Sequence, residues 1–119
     1  LYSKAVERAR ISEAANILGT IRDAEMRYAL EYGNYTNGGN LAILDINFAN
    51  SGKYFTFASL GNTNADPLSN PGQEIASASR RPIDEGIYFG IANCNPYTIV
   101  MLENGTMTST CAPVNALFN

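Results

Sequence analysis

The sequence contains neither histidine nor tryptophan, and only two of its 119 residues are cysteines. Without histidine, the usual general base of hydrolytic triads is missing. Two cysteines without a CxxC spacing would need carboxylates to complete a zinc site. A catalytic pair of carboxylates stays open with this composition. We therefore expect a protein that is not an enzyme, with no catalytic residue, no metal and no cofactor.

Charges and long apolar runs are also scarce. Charged residues make up 16% of the chain, the net charge is −3, and the only adjacent bases are Arg80 and Arg81. The chain therefore offers little clustered positive charge to bind phosphates, and we do not expect nucleic acid as a partner. The sequence has no run of about 18 apolar residues, the length needed to span a membrane. The many uncharged polar residues favour a secreted or surface-exposed protein.

The residues that are present predict one α+β domain. A chain of this length with 45% hydrophobic residues is able to bury a single core. The helical pattern precedes every strand-like segment, and no βαβ alternation occurs, so α+β is favoured over α/β. The expected order over residues 1–119 is a long helix (1–32), a connecting loop (33–52), an antiparallel sheet (53–111) and a tail (112–119).

Residues 1–32 predict one amphipathic helix. Apolar or small side chains recur at steps of three and four and fall on one helical face. The members of this stripe are Ala14, Ile17, Leu18, Ile21, Ala24, Tyr28 and Tyr32. Gly33 is the expected left-handed cap. The amphipathic pattern starts at residue 1 without an N-cap residue. We therefore expect this helix to be the remainder of a longer one.

Several side chains of this region have a preferred interpretation. Glu7 falls on the polar side of the helix. Glu25 is interpreted as an exposed carboxylate, with a buried partner for a base as the alternative. The three aromatic residues Tyr28, Tyr32 and Tyr35 are expected in the core rather than in a ligand platform.

The predicted helix is longer than the domain it belongs to. Thirty-two residues at about 1.5 Å per residue span about 48 Å. A compact domain of this size has a diameter of about 35 Å. We therefore expect residues 1–10 to project beyond the domain and to leave an apolar strip for assembly.

An antiparallel sheet of about four strands is expected after the helix, formed from among five candidate segments. Five segments are rich in β-branched, aromatic or alternating residues and are bounded by turn residues. They are residues 53–59, 73–80, 86–92, 97–102 and 106–111. The last two are joined by Asn104 and Gly105, which predict a two-residue hairpin turn with Leu102 opposite Met107.

The two cysteines are Cys94 and Cys111. The predicted hairpin register continues to Thr98 opposite Cys111. A bend at residues 95–96 would fold Cys94 back to the Cα separation of about 5.5–6 Å that a disulfide needs. A Cys94–Cys111 disulfide is the favoured interpretation, and two free thiols are the alternative.

Three further patterns have a plain interpretation. Residues 62–66 resemble the opening of a calcium loop, but the glycine and closing glutamate are missing, so a loop is expected. Arg80 and Arg81 are interpreted as a solvated pair rather than an anion site. Asn34 and Asn104 each begin an N-glycosylation pattern, which we interpret as chance.

The helix and the cysteine pair together resemble the type IV pilin and pseudopilin family. The resemblance lies in the alanine-rich steps of the helix and in its end, Ala24-Glu25 followed by Tyr28-x-x-x-Tyr32-Gly33-x-Tyr35. The pair Cys94 and Cys111 looks like the disulfide-bounded loop of type IV pilins. The family's diagnostic leader and Phe-initiated apolar helix with an early glutamate are not among these residues.

This resemblance implies a structural subunit of a type IV pilus, a filament for adhesion, motility or DNA uptake. The partners would be other pilin subunits and the pilus assembly machinery. The full-length form would sit in the inner membrane before assembly and at the cell surface afterwards. The exposed side of residues 1–21 would contact neighbouring helices, while residues 33–50 and 94–111 would form the variable surface.

Three other functions stay open. A type II secretion pseudopilin is the alternative within the family, although the cysteine pair favours a pilin. A surface binding or adhesin module is the alternative of another class, and a free-standing secreted ligand-binding domain is a third. An apolar segment upstream of Leu1, continuous with the helix, would separate the family from the free-standing domain.

Overall fold

A computed structural model describes residues 4–36, 41–44, 46, 54–60, 72–81, 94 and 96–118, with only the backbone of Lys4. The elements, in chain order, are α1 (Lys4–Tyr32), a 3₁₀ turn (Leu41–Ile43), β1 (Phe55–Ser59), β2 (Glu74–Arg80), β3 (Thr98–Leu102), β4 (Met107–Ser109) and α2 (Ala112–Ala116). A long N-terminal helix thus packs on a four-stranded antiparallel sheet, which confirms the α+β prediction.

The four strands lie in chain order, β1-β2-β3-β4, and every neighbouring pair is antiparallel. Side chains alternate across the sheet as its pleat requires. Phe55, Phe57, Ala78 and Ile99 are buried on the inner face against α1. The opposite face carries mainly serine and threonine, as in the aligned pair Ser79 and Thr98, with Leu102 among its larger side chains. The sheet therefore buries one face, and the helix is its cover.

The helix α1 buries a continuous stripe against the sheet. Ile11, Ala14, Leu18, Ile21 and Ala24 are at most 2% exposed. The steps of three and four between these positions keep them on one side of a helix with 3.6 residues per turn. Most of the predicted stripe is therefore confirmed.

The helix ends at the predicted cap. Gly33 has φ of +87°, and its N–H donates to the carbonyl of Ala29 at 2.7 Å. This is the left-handed capping arrangement that glycine adopts without steric cost.

The prediction that residues 1–10 project beyond the domain is wrong from Glu7 onwards. Glu7 is 0% exposed and Ile11 is 2% exposed, so both are already covered by the sheet. The described residues extend over 48 × 26 × 18 Å. The 29 residues of α1 span about 43 Å. The domain is elongated along its helix and is not the sphere of about 35 Å on which the prediction was based.

The predicted hairpin register is wrong by one residue. Met101, not Leu102, lies opposite Met107. Gly105 has φ of +90°, and its N–H donates to the carbonyl of Leu102 at 2.9 Å. The N–H of Leu102 donates to the carbonyl of Thr106 at 2.8 Å. The loop therefore has three residues and ends in a bulge with a left-handed glycine, which is the next most common hairpin geometry.

The tail after β4 forms a short helix instead of remaining irregular. In α2, Pro113 lies in the first turn, where its missing N–H costs nothing. Val114 is 0% exposed, and Asn115 accepts a hydrogen bond from the N–H of Ser109 through Oδ1 at 3.1 Å. Phe118 packs on the core, whereas Leu117 is exposed.

Two predictions lie outside the described residues. The predicted strand at residues 86–92 is one, and the calcium-like loop at residues 62–66 is the other.

Candidate assembly surface along the long helix

Three buried glutamates determine how α1 sits on the sheet. Glu7, Glu25 and Glu103 are at most 2% exposed. A carboxylate in the core is tolerated only when it is paired or hydrogen-bonded. The partners of these three groups therefore fix the orientation of the helix.

Glu7 is held by a base and a phenol. Arg80 donates through Nε to Oε2 at 2.8 Å and through Nη2 to Oε1 at 3.0 Å. Both side chains are 0% exposed. The Tyr97 hydroxyl also donates to Oε2 of Glu7. Two parallel N–H bonds to one carboxylate are the strong geometry for this pair. The placement of Glu7 on the polar side of the helix and the interpretation of Arg80 as a solvated base are both wrong, because the two side chains are buried and paired with each other.

Burial raises the pKa of the Tyr97 hydroxyl above its ordinary value, and the hydrogen bond to Glu7 raises it further. A tyrosinate beside the Glu7 carboxylate would place two negative charges together in the core. Tyr97 therefore remains a neutral donor to Glu7.

Glu25 is buried and bound by neutral donors. Its Oε1 accepts the Thr36 N–H at 2.8 Å, and its Oε2 accepts the Thr36 hydroxyl at 2.5 Å. The Ser59 hydroxyl donates to the same oxygen. The interpretation of Glu25 as an exposed carboxylate is wrong, and its partners are not bases. Glu25 joins the C-terminal half of α1 to the chain after the helix and to the end of β1.

Glu103 connects the hairpin to the helix side of the molecule. Its Oε2 accepts the Tyr35 hydroxyl at 2.8 Å, and its backbone carbonyl accepts the Arg22 Nε–H at 2.7 Å. Together with Glu7 and Glu25, these contacts fasten α1 near its N-terminal end and in its C-terminal half. The face of α1 that points outward is therefore fixed.

This outward face changes in chemistry along its length. In the N-terminal part it carries small uncharged side chains at steps of three and four, and all of them are exposed: Ala5, Ala9, Ser12, Asn16 and Thr20. Beyond them it carries Asp23, Arg27 and Glu31, also exposed. Small side chains allow another helix to approach closely, within the 8–10 Å range of packed helices.

A groove follows each flank of α1. The β4 groove lies between α1, β4 and the tail, has a volume of about 470 Å³, and is lined by residues that include Arg8, Ile11, Met107, Leu117 and Phe118. The β1 groove lies between α1 and β1, has a volume of about 200 Å³, and is lined by residues that include Glu13, Ile17, Tyr54, Phe55 and Phe57. Both grooves are mainly apolar; α1 contributes Arg8 to the β4 groove and both Arg10 and Glu13 to the β1 groove.

A third concave region lies at the C-terminal end of α1. The rings of Tyr28 and Tyr32 are 4.5 Å apart between centroids. They border a pocket of about 450 Å³ together with Ile43 and other residues. Tyr32 is 62% exposed, so its predicted place in the core is wrong. Tyr35 is 2% exposed, which confirms its predicted place, and Tyr28 packs on the edge of the core.

The predicted disulfide is present. Cys94 and Cys111 are bonded, with a Cα–Cα distance of 4.9 Å, and both are 0% exposed. The bond joins the chain before β3 to the residue that precedes α2. The disulfide therefore closes the open end of the β3-β4 hairpin and lies inside the molecule rather than on its outward face.

Sequence reasoning missed the buried partners Glu7, Arg80 and Tyr97, although a signal for Glu7 exists. The inward positions of α1 are 7, 11, 14, 18, 21 and 25, at steps of four and three. Both ends of this series are glutamates. A glutamate in register with an apolar stripe indicates a buried carboxylate, whereas nothing in the sequence names its partner across the sheet.

Within the described ranges, no group of three or more acidic or cysteine residues has the geometry to hold a metal ion. None of the helices described there is both long enough and apolar enough to cross a bilayer. Comparison with protein-family models, curated proteins and solved structures finds no match to this chain.

Proposed function

We propose that this chain is a structural subunit of a type IV pilus filament, used for adhesion, motility or DNA uptake. The observation that carries the proposal is the outward face of α1. The helix extends over 29 residues with one side fastened to the sheet. Its other side presents small uncharged residues over the N-terminal part. The resemblance of the helix end and of the cysteine pair to type IV pilins supports the same function.

A filament needs a subunit that presents different surfaces to its two neighbours. Contacts of this heterologous kind form open helical arrays when the rotation between subunits does not close a ring. An elongated subunit with one rigid helix and a groove on each flank fits this requirement. The partners are other copies of the chain and the pilus assembly machinery. The subunit is held in the inner membrane before assembly and lies at the cell surface afterwards.

The gene of the source organism provides the first test. The proposal expects about 20 predominantly apolar residues encoded upstream of Leu1 and continuous with α1. Deletion of the gene is expected to remove surface filaments, and a plasmid copy to restore them. An upstream region without an apolar segment would contradict the proposal.

A type II secretion pseudopilin is the alternative within the same family. It uses the same kind of helix, so the structure of the subunit does not separate the two. Deletion of the gene separates them: loss of secreted proteins with surface filaments retained favours the pseudopilin.

A surface binding or adhesin module is a second candidate, which the tyrosine pocket favours. Tyr32 and Ile43 are large apolar side chains, 62% and 51% exposed, beside a concavity of ligand size. Loss of cell attachment in Tyr32→Ala, with filament number unchanged, would support this function.

A further inference from the structure

We infer that Arg8 of one copy of this chain pairs with Glu13 of the next copy, in a contact that repeats along an array of parallel α1 helices. The inference rests on the proposed filament function and specifies the contact between neighbouring subunits. It comes from the charges of α1 that the fold leaves unused.

Most charges near the N-terminal half of α1 already have partners in the same molecule. Glu7 is bound to Arg80. Arg10 lies 3.7 Å from the ring centre of Tyr54 and 3.8 Å from Oε1 of Glu7. Arg22 donates to the carbonyl of Glu103. The fold thus uses these side chains to attach the helix to the sheet.

Arg8 and Glu13 differ from these residues. Both are exposed, and neither forms a hydrogen bond or ion pair with the described part of the chain. Glu13 has Arg10 one turn away, but that guanidinium faces Tyr54 and Glu7. One base and one acid are therefore left pointing outward.

The two charges lie on opposite flanks of the outward face. Five residues correspond to about 140° around a helix with 3.6 residues per turn. Arg8 borders the β4 groove and Glu13 borders the β1 groove. The β1 groove is also lined by Arg10, whose guanidinium lies over Tyr54 and near Glu7. The exposed charge without a partner in the described chain is therefore positive on the β4 flank and negative on the β1 flank.

This arrangement selects the partner. A two-fold dimer formed through one flank places that flank against its own copy, so the Arg8 flank does not meet a Glu13 flank. A parallel neighbour instead places the Arg8 flank of one copy against the Glu13 flank of the next. Each copy then uses one charge on each side, and the contact repeats without closing.

The pairing also sets the displacement of one copy relative to the next. Arg8 and Glu13 are level with each other when neighbouring helices are displaced along their axes by about 7.5 Å, because five residues rise by about 1.5 Å each. The exposed Ala9 and Ser12, which lie between them, leave space for helices to approach.

Charge reversal in the full-length gene of the source organism tests the pairing. The variants are Arg8→Glu, Glu13→Arg and the double reversal, with Glu74→Arg as the matched control. Glu74 is exposed on β2 and away from both grooves. Filament yield is measured after shearing, and the thermal stability of each purified domain shows whether the substitution disturbs folding.

We expect each single reversal to lower filament yield about fivefold or more, since it replaces an ion pair by a like-charge contact. The double reversal is expected to restore most of the yield, and Glu74→Arg to retain it. Single reversals without effect, or a double reversal no better than either single one, would overturn the pairing while leaving the filament function intact. Absence of filaments from cells with the unaltered gene would instead overturn the proposed function.

Discussion

At the residue scale, α1 is held by polar contacts inside the core. The side chains of Glu7 and Arg80 are both 0% exposed and are joined by two hydrogen bonds. A buried pair of this kind contributes little net stability over well-packed apolar residues, but removal of one member leaves an unpaired charge. The pair therefore acts mainly to fix the position of the helix.

The substitution Arg80→Met tests this contact. It leaves Glu7 buried without its base, so we expect the free energy of unfolding to fall by about 3–5 kcal/mol. Urea denaturation followed by circular dichroism measures the change. Arg8→Met is the control, and its exposed side chain predicts a change within about 0.5 kcal/mol. Equal effects of the two substitutions would contradict the role of Arg80.

Tyr97 predicts a dependence of stability on pH. A tyrosine in an unfolded chain titrates near pH 10, and burial with Glu7 raises the pKa of Tyr97 in the folded protein. The stabilisation is therefore complete below about pH 10 and is lost as the pH rises towards the folded pKa. We expect the free energy of unfolding to fall above about pH 10, with a smaller slope in Tyr97→Phe.

Tyr32→Phe serves as the control for this pH dependence, because Tyr32 is 62% exposed. Its slope is expected to equal that of the unaltered protein. Urea denaturation between about pH 8 and pH 11 gives both slopes. An unchanged slope in Tyr97→Phe would show that another group is responsible.

Residue-level prediction from sequence succeeded for apolar positions and failed for charged ones. Leu18 and Ile21 were assigned to the core from helical spacing alone, because burial of an apolar side chain needs only an apolar surface. Burial of Glu7 and Glu25 needs particular donors, and these come from residues 80, 97, 36 and 59. No local pattern brings those residues together.

At the element scale, the β3-β4 hairpin and its disulfide form one unit. The hairpin closes through Gly105 at positive φ, and the disulfide closes its other end. The Asn-Gly sequence predicted a hairpin correctly but assigned the wrong loop length. The inward side chain of Glu103, bound by Tyr35, belongs to the three-residue loop. The contact between Tyr35 and Glu103 is a tertiary one, and it accompanies a loop length that local turn preference did not predict.

Two glycine substitutions are expected to act in opposite directions. Gly105→Ala places a Cβ at φ of +90° and is expected to lower the free energy of unfolding by about 1–2 kcal/mol. Gly19→Ala lies in α1 with open space around the new Cβ and is expected to raise it by about 0.5–1 kcal/mol. Shifts of the urea midpoint in the same direction would contradict this account of Gly105.

Removal of the disulfide is expected to destabilise the chain without changing its fold. The bond spans a separation of 17 residues, for which the chain-entropy relation gives about 3 kcal/mol. The double substitution Cys94→Ala/Cys111→Ala, measured by urea denaturation, tests this value. A loss below about 1 kcal/mol would show that the hydrogen bonds of the hairpin and α2 suffice to hold this end of the sheet.

At the scale of the whole molecule, the helix and the domain have nearly the same length. The described residues extend over 48 Å along the longest axis, and α1 spans about 43 Å of helix. One side of α1 is buried against the sheet, and the other side is exposed. The sequence predicted the long helix and its packing against a sheet. How much of the helix is packed depends on the elongated shape of the sheet.

Helical reconstruction by electron cryomicroscopy, on filaments sheared from cells of the source organism, tests the central claim most directly. We expect filaments built from this chain, with the outward face of α1 (Ala5, Ala9 and Ser12) towards the filament axis and the sheet towards solvent. Neighbouring α1 helices are expected to be displaced by about 7.5 Å. Filaments made of another protein, or with the sheet at the axis and α1 at the surface, would contradict the account.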